Sequence, residues 1–175
     1  MTELIPAWVN GALAPVAKLA VHRMGLRHKA VSVFVTRGPA VLLQRRALGK
    51  YHSAGLWANT CCTHPHWGES AGACARRRLG EELGITGLDL VWRDRLEYRA
   101  AVGEDMTEHE VVDIFAAEAP PSLRIAPDPA EVMQTAWIDL TDLAAEVAAQ
   151  PDVFTPWLRI YLERSRDRIF GAAAA

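Results

Sequence analysis

Residues 29–36, "KAVSVFVT", are rich in β-branched and aromatic types, which predicts a strand. "RGP" marks a turn, and "AVLLQRR" reads as the returning strand of a hairpin. "WRDRLEYRA" and "EHEVVDIFAAEA" are two further strand candidates separated by the turn-prone "VGEDM", and "EVMQTAWIDL" is another. The period then changes. From Ser70 to Leu83, apolar Ala71, Ala75, Leu79 and Leu83 recur every four residues with Cys74 beside them, which predicts a helix with Ser70 as N-cap and Gly84 as its stop. "LTDLAAEVAAQ" predicts a second helix. "TPWLRIYLERSRDRIF" predicts a third, with Leu158, Tyr161, Leu162, Ser165 and Ile169 on one stripe. Strands interrupted by one central helix and followed by two late ones predict an α+β fold, an α/β sandwich on a mixed β-sheet flanked by helices.

Composition narrows the setting. The 175 residues, half of them hydrophobic and 23% charged, fit one globular domain over 1–175. A formal net charge of −2 argues against a generally basic nucleic-acid surface. Apolar runs such as "VVDIFAA" are far shorter than the ~20 residues of a membrane span. The start, "MTELIPAWVNG", lacks the basic-then-apolar order of a secretory signal, and the low-complexity piece is the terminal "GAAAA". Three cysteines, two of them near a histidine cluster, suit a reducing cytosol better than a disulfide framework. A cytoplasmic protein is expected.

Candidate chemistry gathers around the central helix. Arg77 and Glu81 are four apart, as are Arg78 and Glu82, so two cations and two carboxylates share the face opposite the alanine stripe. That face alone reads equally as a solvated, salt-bridged surface. The longer string is more informative: Glu69, Arg77, Leu79, Glu81, Glu82, Gly84 and Ile85 fall in the register of the Nudix box, and the stretch at about 63–85 resembles a Nudix loop–helix–loop. Thr63 stands where that box begins with Gly. Arg78 replaces the Glu after its Arg, which loses a metal ligand and gains a phosphate-seeking fork.

Lys18, Arg46 and Lys50 are further cations of the kind a diphosphate needs. The metal-ligating candidates are His22, His28, His64, His66, Glu108, His109 and Glu110. Strand alternation in "TEHEVV" puts Glu108 and Glu110 on one face and His109 on the other. Two carboxylates so placed repel unless a cation lies between them. Of His64 and His66, at most one points into the same cavity. A mixed imidazole–carboxylate set suits Mn²⁺, Zn²⁺ or Mg²⁺. Adjacent Cys61 and Cys62 lack the spacing of a zinc knuckle. In a strand they face opposite ways, one into packing and one toward a pocket.

Taken in order, "RRALGK", "GLWANTCCTHPHWGES", "RRRLGEELGI", "EYRA", "TEHEVVDIF" and "TPWL" resemble the serial motifs of the type I isopentenyl-diphosphate isomerase family, Nudix-fold enzymes that interconvert isopentenyl and dimethylallyl diphosphate. The resemblance runs from about His22 to Trp157. It implies Cys62 as a catalytic residue opposite Glu110 and Tyr98, and a metal site of His22, His28, His64, Glu108 and Glu110. It further implies Glu82 on a second Mg²⁺ that arrives with the diphosphate, and Lys18, Arg46, Lys50 and Arg78 on the phosphate oxygens. Tyr98 and Trp157 would line the hydrocarbon end. The implied partner is a small homoallylic or allylic diphosphate, bound by a monomer without nucleic acid or membrane. A Nudix diphosphohydrolase and a catalytically silent metal- or nucleotide-binding module are the rival readings. Arg78 speaks against the first; Cys62, Tyr98 and Trp157 occurring together speak against the second.

Overall fold

The computed structural model describes residues 3–171, so the four closing alanines of "GAAAA" lie outside the described residues. The chain opens with elements that its periodicity does not predict: β1 (Leu4–Val9) and β2 (Ala12–Ala17), an antiparallel hairpin, running into the short helix α1 (Lys18–Met24). Pro6 and Pro15 lie opposite one another in that hairpin, and residues without an amide donor mask a strand signal. Seven helical residues are too few to display a period.

The predicted core strands follow: β3 (Arg27–Arg37) and β4 (Ala40–Arg46), then two short strands, β5 (Trp57–Ala58) and β6 (Cys61–Thr63). After α2 (Ala71–Leu83) come β7 (Val91–Ala101), β8 (Thr107–Glu118), β9 (Val132–Asp139) and α3 (Leu140–Ala149). The last predicted helix is two, α4 (Pro156–Arg164) and α5 (Arg166–Phe170). Ser165 breaks it with φ −132° and ψ 6°, and its hydroxyl donates to the buried Asp94 Oδ2 at 2.6 Å. A side chain that offers such a bond competes with helix continuation.

β3 is the axis of the sheet. It runs parallel to β8 and antiparallel to β6, while β4 carries β5 and β9 and β8 carries β7. The sheet is therefore mixed, as expected. Its faces are covered by different helices. Val31, Val33 and Val35 pack with Cys61, Cys74, Ala75, Leu79 and Leu83 under α2. Ala30 and Phe34 pack with Val112, Ile114, Leu158, Tyr161 and Ile169 under α4 and α5. Period-two alternation along β3 feeds both cores, which is why its apolar run is nearly continuous.

Ser70 caps α2, its side chain accepting from Ala73 N, and Gly84 closes the helix with φ +64°. A Cβ added there would lie 2.9 Å from Ala126 Cβ and 3.0 Å from Ala126 O, whereas one at Gly87 (φ +75°) meets nothing within 4 Å. Left-handed backbone costs a non-glycine residue about 1–2 kcal/mol. Gly87→Ala is expected to lose about that much stability in urea denaturation. Gly84→Ala is expected to lose clearly more, because Ala126 must also move.

Candidate active site

Cross-strand register assembles the site on one face. His28 of β3 pairs with Glu110 of β8, Glu110 pairs with Tyr98 of β7, and Ser32 pairs with Cys62 of β6. Alternation keeps Glu108 and Glu110 buried and turns His109 outward to Glu97. α1 delivers His22 and the exit from β6 delivers His64, both buried, while His66 is exposed.

His22, His28, His64 and Glu108 place one ligand atom each within 4.8 Å of one another. Glu108 Oε2 lies 3.1 Å from His22 Nε2 and 3.2 Å from His28 Nε2, and Glu110 Oε1 lies 3.2 Å from His64 Nε2. The tautomers test whether a cation fits. His22 Nδ1 is 2.6 Å from Lys18 O and His28 Nδ1 is 2.7 Å from Leu26 O, so each ring donates through Nδ1 and turns an Nε2 lone pair inward. His28 Nε2 and His64 Nε2 are 3.2 Å apart. Inward lone pairs beside a carboxylate, with the His22 and His28 rings oriented by backbone carbonyls, are the chemistry of a metal site; His64 Nδ1 is buried without a hydrogen-bond partner among the described residues. The residues fit a divalent cation.

Burial opposes ionisation of Glu108, but the imidazoles of His22, His28, His52 and His64 around it hold its carboxyl well below the usual range. Burial also opposes protonation of His28, yet the neighbouring carboxylates of Glu108 and Glu110 raise its pKa.

Beside this cluster, Cys62 and Trp157 form walls of a cleft that Lys18, Arg46, Lys50 and Arg78 also line. Burial pushes the Cys62 thiol far above its ordinary value, with a hydrogen bond from Ser32 opposing. Its Sγ donates to Asn59 Oδ1 at 2.7 Å and lies 3.2 Å from Ser32 Oγ. Cys61 points the other way, fully buried against α2, and all three cysteines are free thiols. Tyr98 O–H donates to Glu110 Oε2 at 2.7 Å; it stands behind that carboxylate and not in the cleft wall.

The cations meet acids of the chain itself. Lys18 is paired with Glu3 at 3.1 Å and Lys50 with Glu131. Arg78 holds Glu82 at 2.6 Å, Glu81 at 2.9 Å and Glu131 at 3.3 Å. Glu82 is thus not gathered into the His/Glu cluster; Gln44 Nε2 also donates to it at 2.9 Å. Glu69 receives Arg77 through two bonds of 2.8 Å and accepts from His66 N, which ties the Cys62–His64 loop to α2. Among the described residues, Arg46 Nε and Trp157 Nε1 are buried without a hydrogen-bond partner in the chain. A group so left costs about 1–3 kcal/mol, which a polar ligand in the cleft would recover.

Sequence reasoning missed Tyr51 and His52, which line the cleft, and Ser32 and Tyr161, whose hydroxyls are 2.9 Å apart behind Cys62. "KYHS" shows only that a histidine follows the cations; Ser32 and Tyr161 read as ordinary strand and helix positions.

The chain matches the NUDIX domain model over residues 26–158. Solved structures agree in fold: a Deinococcus radiodurans protein superposes with a TM-score of 0.73 at 14% identity, covering 93% of this chain and 98% of that one. A MutT NUDIX hydrolase from Burkholderia pseudomallei does so at 0.61 and 23% identity, covering 79% and 98%. The chain belongs to the NUDIX domain family. Within it, the sequence is 67% identical to an isopentenyl-diphosphate Delta-isomerase of Cereibacter sphaeroides over 98% of this chain and 97% of the relative. It is 61% identical to that of Rhodobacter capsulatus over 99% and 98%. Its place is among the isopentenyl-diphosphate Delta-isomerases.

Removing one ligand from the cluster tests the metal reading. Glu108→Gln is expected to weaken divalent-metal binding about tenfold or more, measured as metal retained after dialysis. His109→Ala, on the outer face of the same strand, is expected to retain the wild-type amount.

Proposed function

We propose that the chain, acting as one domain over 1–175 and as a monomer, interconverts isopentenyl and dimethylallyl diphosphate. The observation that carries this reading is the cleft lined by Cys62, the Tyr98-backed Glu110 and Trp157 together with four cations. The reaction adds one proton to the terminal carbon of a C=C bond and removes another from the carbon two positions along, through a tertiary carbocation. A donor and an acceptor are therefore needed about a flat alkene, with water excluded, since water would capture the cation. Cys62 serves on one side and Glu110 on the other, with Tyr98 O–H holding or passing the proton at Glu110 Oε2.

Burial keeps Cys62 a thiol, a proton carrier and not a nucleophile toward the cation. The indole of Trp157 adds about 2 kcal/mol or more to a desolvated cation beside it. His22, His28, His64, Glu108 and Glu110 would hold a divalent ion, Mn²⁺, Mg²⁺ or Zn²⁺, which would supply positive charge beside Glu110. Lys18, Arg46, Lys50 and Arg78 bind the diphosphate. Glu82, paired with Arg78 at 2.6 Å, would hold the Mg²⁺ that accompanies the substrate, whose charge would offset that of the diphosphate.

Hydrolysis is the weaker reading. Arg78 occupies the helix carboxylates at 2.6 and 2.9 Å, and it stands where a hydrolase of this fold would place another acid.

Incubation with isopentenyl diphosphate, Mg²⁺ and Mn²⁺ in D₂O, followed by NMR, is expected to give deuterated dimethylallyl diphosphate. Phosphate release would support the hydrolase, and no change the silent module. In the same assay Cys62→Ala is expected to lose ~10²–10⁴-fold or more, the scale of general acid–base catalysis, while Cys61→Ala retains much of the rate. Equal losses would sink the choice of thiol. Stripping metal with a chelator is expected to abolish turnover, and returning Mg²⁺ with Mn²⁺ to restore it.

A further inference from the structure

The two oxygens of Glu108 sit in different surroundings. Oε2 faces His22 and His28 at 3.1 and 3.2 Å, where the candidate ligands converge. Oε1 is met by His52 Nε2 at 2.9 Å, and His52 stands outside the candidate ligand set. Glu110 is built on the same plan: Oε1 faces His64 at 3.2 Å while Oε2 accepts Tyr98 O–H at 2.7 Å. Each carboxylate turns one oxygen to the cluster and has the other held by a donor from outside it.

The other ring nitrogen makes His52 a donor. Ser53 Oγ lies 3.2 Å from His52 Nδ1. A hydroxyl there donates to Nδ1 and leaves the ring proton on Nε2, aimed at Glu108. Ser53 reaches this position with φ +49°, a left-handed conformation that costs a serine free energy and gathers at functional sites. The ring is buried, edge-on to Tyr51 and Trp157 with centroids 4.4 and 5.8 Å away. Arg46 Nη2 donates to the His52 carbonyl at 3.1 Å.

We propose that His52 is a positioning residue whose Nε2–H holds Glu108 Oε1, so that Glu108 presents only Oε2 to a divalent cation among His22, His28 and His64. The proposal rests on the metal-site reading above and extends it to a residue outside the ligand set. Because Arg46 and Trp157 hold the same residue, one loop ties the cation site to the diphosphate rim.

Metal-stripped wild type, His52→Phe and His52→Gln are each titrated with Mn²⁺ and with Zn²⁺ in competition with a chromogenic chelator. Phenylalanine fills the ring's space without a donor, and glutamine returns an N–H. His52→Phe is expected to bind about 10–100-fold more weakly, the usual loss for a partner of a metal ligand. His52→Gln is expected to recover most of that affinity. A His52→Phe affinity equal to wild type overturns the proposal, as does a His52→Gln as weak as His52→Phe. A wild type that takes up neither ion overturns the metal reading and this proposal with it, a result distinct from the other two.

Discussion

Three imidazole nitrogens and a carboxylate oxygen held within 4.8 Å of one another, on four buried residues, are a set of electron pairs that the protein interior does not tolerate unaided. Buried polar groups of like character cost free energy unless a proton or cation satisfies them. Everything near the cluster serves that concentration of lone pairs. Backbone carbonyls of Lys18 and Leu26 take the outer protons of His22 and His28, and Tyr98 and His52 take the outer carboxylate oxygens. The parallel pairing of β3 with β8 sets His28 beside Glu110. A slip of one residue would send both acids to the opposite face.

The rim obeys a related constraint. Four cations around one cleft repel, and the chain balances three of them, Lys18, Lys50 and Arg78, with its own acids, Glu3, Glu82 and Glu131. Under the proposed function an incoming diphosphate would exchange with these carboxylates as counter-ion. Arg78 is the link in this arrangement, since it joins the α2 acids Glu81 and Glu82 to Glu131. It also separates the chain from the Nudix hydrolase pattern, in which the helix keeps its acids for metal.

The strands from 29 onward and the helix from Ser70 to Gly84 were legible because their apolar periods are long and their ends carry explicit signals. The N-terminal hairpin and α1 were not, since proline and brevity hide them. Glu108, Glu110 and the opposed Cys61 and Cys62 could be read from alternation, and His22 from the motif that resemblance supplied. His52, Tyr51, Ser32 and Tyr161 could not, because no period or motif marks a residue whose importance lies in what another element brings to it.

By itself the sequence determined the elements, the sidedness of each strand and the stock of proton carriers, ligands and cations, because those depend on neighbours within a few residues. Only the tertiary structure decided which of them meet. Residues 86 positions apart, His22 with Glu108, and 129 apart, Ser32 with Tyr161, become neighbours through strand register and helix docking, and so do Arg78 with Glu131 and Glu108 with His52. Those contacts are set by the packing of separate elements around β3, a property that no local stretch of the chain contains.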